Sequence, residues 1–322
     1  MDRGMRRAWP ALLLAGLLSC HGTPPARAAD TYPDHPIQMI MPLPPGSGTD
    51  LMARVFATEM GRVLGQRVVV MNRTGASLTI GMGVVATTPA DGYTLAFSPV
   101  TPIVVQTHRV RNLPYGAESF VPVCQTFDNV FHVAVPQSSR FHSLREVLEE
   151  AKARPGSLRY GHTGPASGPH LAGAELWRQA GVQLVDVPYR GEADFTTNLL
   201  SGSLDMGMST TFLVQSQNLR SLAVIARERL PSMPEVPTVH ELGLDVVSVT
   251  YGGLFLRAGT PGAVVERLEA ACREVLGTPA YREVARQQAV AATYLDTRAF
   301  RARMAADDPR VAALIQALDL GE

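Results

Sequence analysis

The sequence predicts an α/β protein of two lobes with a cleft between them. Its 322 residues correspond to about two domains at roughly 150 residues each. Short apolar runs typical of buried strands alternate with amphipathic helical patterns, and this alternation favours largely parallel sheets covered by helices. The alternation occurs in two separate series. Since parallel sheets bind ligands beyond the carboxyl ends of their strands, the loops that follow strands are the candidate sites.

Composition excludes several classes of protein. Hydrophobic residues make up 46% of the chain and charged residues 18%, which argues against a disordered chain and a coiled coil. The 29 basic residues balance the 29 acidic ones and no run of like charge occurs, so we expect no nucleic acid or anionic membrane as a partner. The only lysine, Lys152, follows no glycine-rich loop, which excludes a P-loop nucleotide site.

The N-terminus predicts export from the cytoplasm. Early arginines, an apolar run over residues 11–18 and an A-x-A cleavage signal at 26–28 are typical of a signal peptide over residues 1–28. The apolar run is too short to span a bilayer core of roughly 30 Å. The sequence Leu17-Leu18-Ser19-Cys20 leaves a second reading open, in which Cys20 becomes the lipidated first residue of a lipoprotein.

The first series of elements follows this export signal. Apolar runs predict strands over residues 37–41, 67–70 and 94–97. Apolar residues at helical spacing predict a helix over 51–64, with Thr49 or Asp50 as its N-cap, and another helix over 79–87. Asp91-Gly92 is a turn signal before the third strand.

The second series begins with a capping box at residues 143–146, which opens a helix that Pro155-Gly156 ends. Further patterns predict strands over residues 158–161, 183–187, 204–208 and 221–225, and helices over 170–180 and 193–201. Two Thr-Pro pairs, at 260–261 and 278–279, each place a cap and a first-turn proline before a long C-terminal helix.

The cysteines and histidines predict no metal site and no cofactor. Apart from Cys20, the chain has only Cys124 and Cys272, which either form one disulfide or remain single buried thiols. The eight histidines show no H-x-x-x-H or H-E-x-x-H spacing.

The loop Pro44-Pro45-Gly46-Ser47-Gly48-Thr49-Asp50 joins a strand to a helix. Its backbone N–H groups and the helix N-terminus suit an anion. A dinucleotide fingerprint is one alternative, but Leu51 occupies the third glycine position, and the next strand ends at Asn72 without the ribose-binding acid. A structural turn, in which Thr49 and Asp50 only cap the helix, is the other alternative.

Three other loops before predicted helices have the same small, polar character; they lie at residues 72–77, 162–170 and 187–193. His170 is the obvious candidate for a catalytic base, yet no G-x-S-x-G elbow or cysteine nucleophile accompanies it, so a structural role is favoured. Tyr189 either offers its ring and hydroxyl to a ligand or is a core aromatic residue. Loops that suit an anion but are poor in nucleophiles, bases and metal ligands indicate a receptor rather than an enzyme.

Several stretches carry the motifs of one family in the same order and spacing. They are Pro-Leu-Pro-Pro-Gly-Ser-Gly-Thr-Asp at 42–50, Asn-Arg at 72–73, Ala-Asp-Gly-Tyr-Thr-Leu at 90–95, Val-Pro-Tyr-Arg-Gly at 187–191 and Pro-Glu-Val-Pro-Thr at 234–238. In these stretches the chain resembles the Bug-type periplasmic solute-binding receptors of tripartite tricarboxylate transporters.

The resemblance implies a two-lobed periplasmic binding protein of type II, the Venus-flytrap fold, with mixed sheets and a central cleft. Residues 29–130 plus 252–322 would form lobe 1, and residues 131–251 lobe 2. It also implies a monomeric extracytoplasmic receptor that captures a small carboxylate for the permease subunits of a tripartite transporter, or presents it to a sensor kinase. A nucleotide-dependent oxidoreductase that uses the 46–48 glycines is the competing enzyme class.

The resemblance also implies ligand contacts, chiefly backbone amides of the 46–50 and 162–167 loops. Carried over position by position, the candidate ligand-binding residues are Gly46, Ser47, Gly48, Thr49, Asp50, Ala76, Ser77, Thr79, Ser98, Thr101, His162, Thr163, Ser167, Tyr189, Gly191, Glu192, Ser209 and Thr210. Leu78, Pro165 and Ala166 replace smaller or more polar residues of the family. Glu192 stands where a small residue is common. If it faces the cleft, it repels a second carboxylate or accepts a hydrogen bond from a ligand amine or hydroxyl; otherwise it caps a helix outward.

Overall fold

The computed structural model describes residue 1 and residues 32–189, 192–246 and 251–321. Residues 33–322 form one compact unit. Most of the predicted signal peptide, with Cys20, lies outside the described residues, as does Gly191; for Glu192 only the helical backbone is described. No helix in the described part of the chain combines the length and apolar character that a membrane crossing needs.

The first lobe is built on a five-stranded sheet. Its strands are β1 (Ile37–Met41), β2 (Val68–Asn72), β3 (Thr94–Pro99), β4 (Phe120–Asp128) and β10 (Tyr251–Arg257), in the order β2-β1-β3-β10-β4. β1 pairs in parallel with β2 and β3, whereas β10 is antiparallel to β3 and β4. β1 is apolar almost throughout because both faces of this parallel part of the sheet are covered.

The second lobe repeats this plan. Its strands are β5 (Phe131–Val135), β6 (Arg159–His162), β7 (Val185–Pro188), β8 (Met206–Thr210) and β9 (Arg220–Val224), in the order β7-β6-β8-β5-β9. β6 pairs in parallel with β7 and β8, and β5 is antiparallel to β8 and β9. Since β10 returns to the first sheet after β9, the second lobe is an insertion in the first.

The predicted two-lobed α/β fold with mixed sheets is confirmed; the exact lobe boundaries stay a prediction.

Helices connect the strands and cover the sheets. They are α1 (Gly48–Leu64), α2 (Thr79–Thr87), α3 (Thr101–Val104), α4 (Gln106–Arg109), α5 (Leu144–Ala153), α6 (Gly168–Gln179), α7 (Glu192–Leu200), α8 (Thr211–Ser216), α9 (Gly262–Gly277), α10 (Pro279–Gln287) and α11 (Thr297–Ala317). α1 shows how they pack: it buries Met52, Phe56 and Met60, and the Phe56 ring contacts Phe97 of β3 with centroids 5.4 Å apart.

Some helix starts differ from the prediction. The N-cap of α1 is Ser47, whose side chain accepts a hydrogen bond from Asp50 N–H, so the predicted cap at Thr49 or Asp50 was wrong. Thr278 caps α10 as predicted, but α9 begins after Pro261 without a side-chain cap. The short side chain of Ser47 stands where the chain still has extended geometry, which a cap requires.

Three strands were absent from the prediction: β4, β5 and β10. β10 begins Tyr-Gly-Gly, and glycine disfavours strands in isolation. Here the glycines permit close approach, since a Cβ on Gly253 would lie 2.0 Å from the carbonyl oxygen of Cys124 in β4. The tertiary pairing of β10 with both neighbours therefore overrides a weak local preference.

The structure joins Cys124 of β4 to Cys272 of α9 in a disulfide. Both residues are fully buried, and the Cα atoms lie 6.7 Å apart. This decides between the alternatives that the sequence left open. The sequence separation of 148 residues encloses every strand of the second lobe.

We predict that the Cys124→Ala/Cys272→Ala double variant unfolds at lower urea concentration than the wild type. A cross-link over so long a loop restricts the unfolded chain and stabilises the fold by about 2–5 kcal/mol. A reducing agent in the denaturation buffer should lower the wild-type midpoint and leave that of the double variant unchanged. Equal midpoints for both proteins under oxidising conditions would contradict the disulfide.

Candidate ligand-binding site

A cleft cavity of about 730 Å³ lies between the loops of the two lobes. Its walls come from strand-to-helix loops of both lobes and from the segment that joins them. None of the described residues that line it is charged. They are Leu43, Thr49, Ser77, Leu78, Pro99, Thr101, Gln106, Phe127, Asn129, Phe131, Thr163, Gly164, Pro165, Ala166, Ser167, Gly168, Pro169, Pro188 and Tyr189.

The N-termini of α1 and α6, one from each lobe, are among the helix ends that reach this cavity. α1 begins after its N-cap Ser47, and α6 begins at Gly168 after its N-cap Ser167. Each serine hydroxyl accepts a hydrogen bond of 3.3 Å from the N–H three residues later, which fixes the first turn. Thr49 of α1 lines the cavity, as do Ser167 and Gly168. Because a helix N-terminus has N–H groups without helical acceptors and carries about half a positive charge, both ends favour an anion.

Asp50 fixes the conformation of the loop over residues 44–50, which leads into α1. Its carboxylate is 1% exposed and accepts hydrogen bonds from Gly46 N–H at 2.9 Å, Arg54 Nε at 2.9 Å and Asn72 Nδ2 at 2.8 Å. Burial raises the pKa of Asp50, but these hydrogen bonds outweigh it and hold the pKa below its ordinary value. Asp50 is therefore an ionised, paired group that shapes the loop, and it does not line the cavity.

The loop that follows β2 reaches the cavity through three residues, 76–78, with left-handed backbone geometry. Ala76, Ser77 and Leu78 have φ angles of 44°, 52° and 75°. Such geometry costs a non-glycine residue roughly 1–2 kcal/mol. Thr79 closes the turn because its hydroxyl donates to the Ala76 carbonyl at 2.7 Å. Strained backbone of this kind concentrates at ligand sites, and here it places Ser77 and Leu78 in the cavity wall.

A cluster of His162, His170 and Asp186 lies under the 163–169 loop of the second lobe. His170 Nε2 is 3.1 Å from Asp186 Oδ2, and His162 Nε2 contacts Oδ1. Partial burial raises the pKa of Asp186, but hydrogen bonds from the histidines outweigh it and the pKa lies well below its usual range. Ala166 N–H donates to His170 Nδ1 at 2.9 Å. Both nitrogens of His170 are thus engaged, which argues against a catalytic base.

The segment that joins the lobes forms another wall of the cavity. Phe127, Asn129 and Phe131 line the cleft, whereas Asp128 and Val130, with part of Asn129, line a second cavity of about 580 Å³. This division follows the period of two of an extended chain. These residues were absent from the predicted site because no loop motif marks them; the Phe-x-Asn-x-Phe pattern at 127–131 was the available signal.

The structure divides the predicted site residues into three groups. Those that line the cavity are Thr49, Ser77, Thr101, Thr163, Ser167 and Tyr189. Those described but outside the lining are Gly46, Ser47, Gly48, Asp50, Ala76, Thr79, Ser98, His162, Ser209 and Thr210. Gly191 and the Glu192 side chain lie outside the described residues. Their roles as ligand contacts stay predictions.

Other lining residues were missed because they carry no obvious binding chemistry in sequence and lie outside the predicted loops. They include the apolar Leu43, the buried Gln106 and Pro99. The three residues under the second-lobe loop also form a group whose potential metal-ligating atoms lie within 4.8 Å of one another. No spacing rule finds this group, because its members come from β6, α6 and β7.

We predict that Asp50→Asn destabilises the protein by about 1–3 kcal/mol at neutral pH, because a neutral amide cannot accept all the hydrogen bonds that the buried carboxylate accepts from Gly46, Arg54 and Asn72. The folded-state pKa of Asp50 is depressed, so its stabilisation is present above about pH 4 and is lost as pH falls through the folded pKa. Urea denaturation against pH should therefore show the gap between variant and wild type narrowing in acid. The exposed Glu149→Gln is the control; a neutral-pH effect of Asp50→Asn no larger than the control's would contradict this role.

Comparison with known proteins places the chain in a family. Residues 52–320 match the family model described as "Tripartite tricarboxylate transporter family receptor". A protein of Pseudomonas sp. strain P51, encoded in the tcbD-tcbE intergenic region, is 36% identical over 85% of this chain and 84% of its own. The protein BugT of Bordetella pertussis is 35% identical over 85% of this chain and 87% of its own.

Solved structures share the fold. A TctC solute-binding protein from Polaromonas, crystallised without ligand, superposes with a TM-score of 0.77 and 29% identity, covering 89% of this chain and 100% of its own. Rpa4515 of Rhodopseudomonas palustris, with adipate, has a TM-score of 0.76 and 24% identity, covering 88% of this chain and 97% of its own chain. MatC of the same organism, with bound malate, has a TM-score of 0.72 and 23% identity, covering 88% of this chain and 100% of its own chain. At such low identity these two structures support the fold alone. The expected resemblance to Bug-type receptors is confirmed: this chain belongs to the tripartite tricarboxylate transporter receptor family.

Proposed function

We propose that this protein is a monomeric periplasmic receptor that captures a small carboxylate in its cleft and passes it, chemically unchanged, to the permease subunits of a tripartite transporter. One observation carries the proposal: the N-termini of α1 and α6, one from each lobe, meet at the same cavity. Family membership and the predicted export signal support the location and the partner.

The electrostatics of the cavity favour recognition by neutral donors. Since no described lining residue is charged, the attraction for a carboxylate comes from helix N-termini, backbone N–H groups and hydroxyls such as those of Thr49, Thr163 and Ser167. Hydrogen bonds to a charged group contribute about 1.5–3 kcal/mol each, so a few such bonds give useful affinity without an arginine clamp.

The rest of the lining suits the carbon skeleton of the ligand. Phe127, Phe131 and Tyr189 place aromatic surface in the cavity, and Leu78 adds an aliphatic side chain. A volume of about 730 Å³ lies within the range of small-molecule sites. Organic acids with an apolar body are therefore the favoured ligands, and the adipate and malate carried by proteins of the same fold define a first set of probes.

Closure of the lobes would complete the site. The α1 loop and the α6 loop belong to different sheets, so a ligand held by both bridges the lobes and stabilises the closed form. The same closure removes water, which strengthens each hydrogen bond to the carboxylate.

We predict that C4 to C8 mono- and dicarboxylates, aliphatic and aromatic, include at least one compound that stabilises the protein in a thermal-shift screen. A one-site ligand at 100 times its dissociation constant adds about 2.7 kcal/mol to the free energy of unfolding. NAD, NADP and ATP serve as the comparison set and should give no shift. Stabilisation by a nucleotide alone, or consumption of a carboxylate measured by NMR, would contradict the receptor function.

We predict that Thr163→Trp abolishes the shift given by that carboxylate, because the indole would fill space at the half-buried lining position. Thr87→Trp, on an exposed position of α2 outside the cavity, is the matched control and should bind as the wild type does. Both affinities are measured by isothermal titration calorimetry after circular dichroism has shown that both variants fold. Equal binding by Thr163→Trp and Thr87→Trp would place the ligand elsewhere.

A further inference from the structure

We propose that His162, His170 and Asp186 form a positioning unit whose decisive contact is the hydrogen bond from Ala166 N–H to His170 Nδ1, which holds the 163–168 loop in the conformation able to receive a ligand carboxylate. The proposal rests on the proposed function, because it assigns that loop to ligand capture. The three residues come from the end of β6, the first turn of α6 and β7, so the unit ties together the elements that border the second-lobe wall of the cleft.

The geometry of the unit is a carboxylate shared by two imidazoles. Asp186 presents one oxygen to each ring, with His170 Nε2 at 3.1 Å. The rings stack with centroids 4.3 Å apart and planes 21° apart. The His162 side chain is 0% exposed and that of His170 is 6% exposed, whereas Asp186 is 43% exposed. Water therefore reaches the carboxylate, while the histidine hydrogen bonds are sheltered.

A backbone group decides where His170 carries its proton. Ala166 N–H points at His170 Nδ1 at 2.9 Å, and a backbone N–H is always a donor. Nδ1 must therefore offer its lone pair, which leaves the proton of the neutral ring on Nε2, facing Asp186. His162 is less constrained, because both the N–H and the carbonyl oxygen of Gly164 lie within hydrogen-bond distance of its Nδ1, at 3.2 Å and 3.0 Å.

The loop needs such support because its backbone is unusual. Gly164 and Ala166 both have positive φ angles, of 106° and 54°. For Ala166 this is the left-handed region, which alanine adopts at a cost of roughly 1–2 kcal/mol. The hydrogen bond to His170 anchors the residue that carries this strain. The next residue, Ser167, caps α6 and lines the cavity, so a change at Ala166 would move a helix N-terminus that faces the ligand.

A metal ion held by these three residues would be incompatible with the hydrogen bond from Ala166 N–H to His170 Nδ1. The ligating atoms of the three residues are close enough for a cation, and zinc would take the Nε2 lone pair of each neutral imidazole. His170 would then carry its proton on Nδ1, where it would face the Ala166 N–H, two donors 2.9 Å apart in the present geometry. The structure therefore assigns the group to loop positioning without a metal, and zinc binding is an outcome that the test can detect.

Two substitutions of His170 separate positioning from simple packing. His170→Asn places an amide oxygen near the Nδ1 position and keeps an acceptor for Ala166 N–H, although it loses Asp186. His170→Gln keeps the reach to Asp186 but loses that acceptor. We expect calorimetry with the carboxylate found in the screen, or with malate and adipate, to show His170→Gln at least about tenfold weaker than wild type and His170→Asn within about threefold. Equal losses in both variants would overturn the proposal.

Two further measurements do not depend on ligand affinity. In the ¹⁵N NMR spectrum of histidine-labelled protein at pH 8, His170 should show a protonated Nε2 and an unprotonated Nδ1; the opposite tautomer would overturn the proposal. Zinc chloride alone should leave the melting temperature of the wild type unchanged, and a saturable rise absent from His170→Gln would assign the group to a metal instead. Failure of the wild type to bind any acid would overturn the proposed function, whereas the tautomer still reports on the hydrogen bond.

Discussion

The binding site depends on one electrostatic arrangement. The N-termini of α1 and α6, which carry partial positive charge, face a cavity whose described lining residues have no formal charge. Each end comes from a different sheet, so neither lobe alone supplies both. Because the attraction is spread over backbone donors, it does not demand a particular basic side chain. The same constraint explains why the serine N-caps and small loop residues matter more here than charged ones.

Each of these helix ends is supported by a carboxylate placed behind the loop. In the first lobe, Asp50 accepts hydrogen bonds from Gly46, Arg54 and Asn72. In the second lobe, Asp186 accepts hydrogen bonds from His162 and His170. The Arg54 guanidinium balances the charge of Asp50, and water screens the charge of Asp186, whose side chain is 43% exposed. The carboxylates thus fix loop geometry without acting as ligands. This arrangement spares the ligand most of the cost of organising the loops that receive it.

Much of the fold was readable from local pattern, and the rest depended on contacts between distant residues. β1 and α2 match their predicted bounds because apolar periodicity and capping are local signals. β10 was missed because its glycines suit only a close approach to β4, which the sequence does not show. In the site, Thr49 and Ser167 followed from strand-to-helix loops, whereas Phe127, Asn129 and Phe131 required knowing that the crossing segment passes the cleft. The Asp186 cluster needed the pairing of β6 with β7.

A crystal structure of the wild-type protein with its carboxylate bound would show directly whether the N-termini of α1 and α6 hold the ligand. We predict carboxylate oxygens about 3 Å from main-chain N–H groups in the first turn of α1 and at the 163–168 loop, with the lobes closed around the ligand. A ligand held by an arginine side chain, or seated in the second cavity beside Arg303 and Arg310, would contradict this prediction.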